Sequence, residues 1–136
     1  MGLGIHLTEV RRAYLYWIEA ARDGRRRLKT GWKVLFGVIF VGMITVTAWS
    51  SVQVPIWRAT FSGNPWAWAT LADAYCGFVT FFCWVAWRER SVAARVGWFV
   101  GIMLLGNIAM SGYVLWQLSG LKEGEGVGEL FRRKAA

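Results

Sequence analysis

The chain has 136 residues, of which 56% are hydrophobic, with 16 Lys and Arg against eight Asp and Glu and a single histidine. That length suits one domain, and the apolar share exceeds the roughly 45–50% of an ordinary soluble protein. The net charge of +8 could suggest nucleic acid, but no basic and aromatic binding module accompanies it.

Residues 1–33 form a basic N-terminal segment. Within it, Thr8 to Lys29 reads as an amphipathic helix, with Val10, Ala13, Tyr14, Trp17, Ile18 and Ala21 recurring at three- and four-residue steps. Arg11, Arg12, Glu19, Arg22 and Asp23 occupy much of the rest. Such a helix suits the headgroup plane or the surface of a partner subunit. Gly24 is expected to end it, and Arg25, Arg26 and Arg27 would then meet anionic lipid headgroups.

Residues 34–118 hold three apolar stretches, Val34 to Val54, Pro65 to Trp87 and Val96 to Leu118. Each exceeds the roughly 20 residues that cross a hydrocarbon core about 30 Å thick. The expected architecture is all-α: an integral membrane protein with three transmembrane helices and an N-terminal interfacial helix. A cleavable signal is not expected, because the first stretch starts after 33 residues and outruns a signal h-region of about 7–15. The first connection carries turn signals at Pro55 and at Ser62-Gly63-Asn64-Pro65, and the second is short. Residues 119–136, with Gly124, Gly126 and Gly128, read as a mobile basic tail.

Tryptophans mark the ends of the stretches, where indole settles at the membrane interface. Trp32, Trp87 and Trp98 fall near the expected inner ends; Trp49, Trp57, Trp66, Trp68 and Trp116 fall near the outer ends. Trp17 suits the surface helix. Eight basic residues precede the first stretch, one (Arg58) lies in the first connection, three in the second and four in the tail. Three crossings with the N-terminus in the cytoplasm would put eleven inside and five outside, the arrangement the positive-inside rule prefers. A bacterial inner membrane with the C-terminus outside is the expected placement. The tail's four charges are its one discordant note.

Asp73 is the only charged residue inside the three stretches. A carboxylate at that depth costs about 2.5–3.5 kcal/mol on insertion scales, so it needs a partner or a wet cavity. Depth places it level with Thr45 and Thr47 on the first stretch and with Asn107 and Ser111 on the third. These five residues form the expected polar cluster, either fastening the helices or marking a proton or ligand site. Gly97-x-x-x-Gly101 supplies a close-packing seam. Cys76 and Cys83, seven residues apart, are too far apart on one helix for a disulfide and read as reduced, buried packing residues.

His6 is the only histidine and lies outside every stretch, which disfavours an axial haem or chlorophyll ligand. No P-loop, nucleotide-binding glycine fingerprint, zinc motif or nucleophile elbow occurs. No metal, cofactor or enzymatic activity is therefore expected.

Four segments follow one another in order: Asn64-Pro65-Trp66, Ala69-Thr70-Leu71-Ala72-Asp73-Ala74-Tyr75, Trp84 to Ser91, and Gly106-Asn107-Ile108-Ala109-Met110. This run resembles a family of small multi-span membrane proteins of unknown function found in bacteria and plants. The resemblance covers about residues 34–118 and makes the N-terminal helix and the tail look like additions. It implies that Asp73, Tyr75, Glu89 and Asn107 belong to a shared framework, and it brings no activity. The expected role is a structural or accessory subunit of a larger membrane complex, for instance a respiratory or photosynthetic one. The alternative is a small oligomeric carrier or channel using Asp73. Lipid and other membrane subunits are the expected partners.

Overall fold

A computed structural model describes residues 3–53 and 65–132, with side chains from residue 9 onward. Trp57, Arg58, the turn signals at Pro55 and Ser62-Gly63-Asn64, Arg133 and Lys134 lie outside the described residues, as does the His6 side chain. The elements in order are α1 (Leu3–Gln53), α2 (Pro65–Arg88), α3 (Val92–Leu105), α4 (Asn107–Ser119) and a 3-10 turn, Val127–Phe131.

α1 is a single helix of 51 residues, about 76 Å long at 1.5 Å per residue. The expected end at Gly24 does not occur. A glycine inside a helix costs only about 1 kcal/mol relative to alanine, and strong helix formers flank this one. Asp23 and Arg27 also bridge it with an i,i+4 ion pair of 3.0 Å. The apolar face of the N-terminal part is uncovered, with Val10, Tyr14 and Trp17 each more than half exposed.

α2 starts at Pro65 and has 24 residues. Proline suits a first turn because the N–H it lacks would have no partner there. Among the described residues, α1 and α2 are the two helices long and apolar enough to cross a membrane.

The third stretch corrects the expectation of three spans. It breaks at Gly106 into α3 and α4, of 14 and 13 residues, each about 20 Å long against a core of about 30 Å. Gly106 has φ 53° and ψ −126°, a conformation that an L side chain rarely adopts. Phe78 of α2 lies directly against it; a Cβ there would come within 2.6 Å of the ring. On the other side of the break the chain turns back. Gly101 faces Ala109, with an ideal Cβ 4.0 Å away, and Trp98 stacks on Trp116 at 5.7 Å between centroids. The two indoles expected at opposite membrane faces are therefore at one level.

The hairpin packs between α1 and α2. Val85, Ile102, Ala109 and Tyr113 form one buried cluster, and Val114, Leu118, Val127 and Leu130 form the second. Trp32 and Phe36 of α1 join the second cluster, and Phe40 approaches Gly112 closely enough to meet a Cβ at 3.5 Å. The segment after α4, expected to be mobile, is folded back through residue 132, with Val127 and Leu130 buried. It lies at the same end of the molecule as Lys29, whose Nζ donates to the Leu121 carbonyl at 2.7 Å. Cys76 and Cys83 are free and exposed on α2 rather than buried.

Candidate functional site

The densest polar arrangement among the described residues is at the tail end of the hairpin, where α2 finishes. Arg88 is the last residue of α2 and Glu89 follows it; they are 6% and 4% exposed. α4 presents Tyr113 and Gln117 one turn apart, which puts both on one face. Both are buried. The 3-10 turn supplies backbone carbonyls.

Arg88 Nη1 donates to the carbonyls of Glu129 at 2.8 Å, Leu130 at 2.6 Å and Arg132 at 2.6 Å. Its Nη2 donates to Gln117 Oε1 at 3.3 Å. The Gln117 amide passes the connection on, its Nε2 donating to Glu89 Oε1 at 3.1 Å. Tyr113 Oη donates to the same carboxylate oxygen at 2.9 Å. Outside this core, Arg95 Nε donates to the Glu89 carbonyl at 2.7 Å. The amide of Gln117 thus joins a buried guanidinium to a buried carboxylate.

Two donors nearby, Arg88 Nε and the Trp84 indole N–H, are buried with no partner among the described residues. Each unmet buried donor costs about 1–3 kcal/mol, so the bonds that Arg88 does make offset a large desolvation penalty. Removing one of the others tests the balance. Tyr113→Phe is expected to lower stability by about 1.5–3 kcal/mol, the range for a hydrogen bond to a charged group. Thermal unfolding of purified protein in mild detergent measures it. An unchanged midpoint would show that this bond contributes nothing.

The expected membrane cluster is not assembled. Asp73 is exposed on α2. Ser111 donates to the carbonyls of Asn107 and Ile108 on its own helix, and Thr45 donates to Val41. Thr47 serves through its carbonyl, which accepts from Ser51. Hydroxyls bonded back one turn are satisfied without a neighbouring helix. Asn107 begins α4 beside the Gly106 break and is exposed. Of the Gly97-x-x-x-Gly101 seam, Gly101 faces α4 of the same chain and Gly97 has open space.

Of the expected anchors, Trp17, Trp49, Trp66, Trp68, Trp87 and Trp116 are exposed, whereas Trp32 and Trp98 are half-buried and pack inward. Sequence reasoning missed Arg88, Tyr113 and Gln117. The available signals were an Arg-Glu pair closing a span and a Tyr-x-x-x-Gln spacing near the end of the next apolar stretch.

The model of a family described as a protein of unknown function, DUF1475, matches residues 24–128. The chain belongs to that family. The matched span takes in Arg88, Glu89, Tyr113 and Gln117, and also most of the 3-10 turn's approach through Gly128. The family pattern therefore reaches beyond residues 34–118, and the tail up to Gly128 is part of it rather than an addition. The basic stretch from Gly24 is inside it as well. No curated protein and no solved structure matches the chain.

Proposed function

We propose that this DUF1475 chain is a non-catalytic accessory subunit of a larger membrane complex. In this reading α1 and α2 cross the bilayer, and the α3–α4 hairpin enters and leaves it on one side. The observation that carries the reading is the uncovered apolar surface: none of the most apolar window of α1 is buried within the chain. The polar centre at the end of α2 supports it, because its groups bind the tail and one another and, among the described residues, form no nucleophile and base pair. The hairpin also suits the charge distribution. With two crossings, the N-terminal segment, the second connection and the tail share a side, which gathers fifteen of the sixteen Lys and Arg residues and leaves only Arg58 opposite. The positive-inside rule then places both chain ends in the cytoplasm, in place of a C-terminus outside. A bacterial inner membrane and a bioenergetic host fit this reading.

One observation favours a second reading, a small oligomeric carrier. Asp73 is exposed and makes no hydrogen bond or ion pair among the described residues, so in hydrocarbon its carboxyl needs a group from another chain. Gentle extraction of tagged protein followed by mass spectrometry separates the two readings. Stoichiometric larger partners support the accessory subunit, and a pure homo-oligomer supports the carrier. Topology is tested separately: reporters fused at residue 1 and at residue 136 are both expected to be active only in the cytoplasm. A C-terminal reporter active outside would remove the two-crossing arrangement.

A further inference from the structure

Below the apolar part of α1, its basic residues and the returning tail enclose a cleft of about 490 Å³. Arg22, Arg25, Arg26, Lys29 and Lys33 line it from α1, and Lys122 lines it from the tail. Positions 22, 26, 29 and 33 recur at three- and four-residue steps, so the helix presents them as one stripe. The other wall is the turn after α4, held in place by the Lys29 bond to the Leu121 carbonyl. Gly126 rests on the Arg25 stem, where a Cβ would meet Cδ at 3.3 Å.

Two carboxylates share the cleft, and neither neutralises it. Glu125 accepts from the Lys122 backbone N–H at 2.8 Å. Glu123 makes an exposed 3.5 Å contact with Arg26, both side chains being more than 70% exposed, and such pairs contribute little. Six cationic side chains against two carboxylates leave a formal excess of four positive charges. The cleft is of ligand-binding size, and its guanidinium groups match phosphate oxygens in geometry as well as charge.

We propose that this cleft binds a phosphate group, the best-placed source being an anionic phospholipid headgroup. The lipid source rests on the membrane reading above. In that reading the cleft lies just outside the first residues of the α1 crossing, so acyl chains attached to the phosphate would run along exposed Val34, Leu35 and Val38. A soluble phosphate ester offers the same oxygens without the chains, and only the chains distinguish the two sources.

The test uses the full chain in detergent and native mass spectrometry, with phosphatidylglycerol, phosphatidylcholine and glycerol 3-phosphate as separate probes. The variant is Arg22→Gln with Lys33→Gln, two residues for which no internal hydrogen bond or ion pair is formed among the described residues. The control, Arg11→Gln with Arg12→Gln, removes the same charge at least 15 Å farther along the helix, beyond a Debye length of about 8 Å. One phosphatidylglycerol per chain is expected, in preference to phosphatidylcholine. Its affinity should fall about thirtyfold in the cleft variant, taking about 1 kcal/mol per charge, and should change less than about threefold in the control. Glycerol 3-phosphate binding with the same variant pattern, and no retained lipid, would support the phosphate site and assign it to a soluble ester. Equal loss in cleft and control variants, or no binding of any probe, would overturn the proposal. Extraction at alkaline pH tests membrane integration independently, so a failure of that reading is distinguishable from a failure of the site.

Discussion

Arg88→Met is expected to free the tail and to lower stability by about 3–5 kcal/mol, the cost of removing one member of a buried charged network. The methionine fills similar space, so the loss is chiefly electrostatic. The carbonyls of Glu129, Leu130 and Arg132 lose their donor together, and Gln117 Oε1 loses its own. Glu89, 4% exposed, keeps its bonds from Tyr113 and Gln117 but loses the guanidinium to which Gln117 joins it. Limited trypsin digestion in detergent reads the tail directly, because Lys122 precedes the docked turn. Cleavage after Lys122 should accelerate strongly while α1 and α2 remain intact. Arg88→Lys should fall between wild type and Met, since an ammonium keeps the charge but not the fork that spans three carbonyls and an amide. Unchanged cleavage in the Met variant would show that Arg88 does not hold the tail.

Gly106→Ala is the second large effect, at about 2–4 kcal/mol from two separate sources. The first is backbone strain, because φ 53° with ψ −126° suits glycine alone. The second is overpacking against Phe78, whose Cζ would stand 2.6 Å from the new methyl. The pair can be separated by comparing Gly106→Ala in the wild-type and Phe78→Ala backgrounds. The overpacking share should disappear in the second background and the backbone share should remain. Thermal unfolding gives the energies, and the trypsin assay shows whether the hairpin has lost its tail. An alanine tolerated without loss in either assay would mean that the turn can be made another way.

The helical class and the two long apolar helices were legible because they depend on composition. Pro65 marked the start of α2 through the hydrogen it lacks, and the length of apolar sequence in α1 and α2 needed no tertiary information. The hairpin was not legible from hydropathy. Val96 to Leu118 is apolar on both sides of Gly106, and an averaging window cannot register one residue with positive φ. The dipeptide Gly106-Asn107 was the local signal, since such pairs favour turns. The misplaced break at Gly24 illustrates the converse: glycine permits a turn, but without a packing partner it does not impose one. Once the third stretch doubles back, depth assignments derived from a straight span change. Asp73, Asn107 and Ser111 no longer share a level by construction, and the polar residues that do meet are those bracketing the hairpin's open end. Arg88 opened the short second connection, and nothing in the local sequence announces that residues 41–44 positions later will cover it.

That separation has a consequence for biosynthesis. The hairpin emerges from the ribosome before the segment that seals it, so Arg88 is made while its carbonyl partners are still to be synthesised. Until residues 127–132 arrive, the guanidinium and the Glu89 carboxylate lack the cover of the 3-10 turn and stay hydrated. Sealing is therefore a late event, following synthesis of both long helices and the hairpin. A chain arrested just after Ser119 should expose Arg88 to the solvent, and adding the final turn is the step that withdraws it.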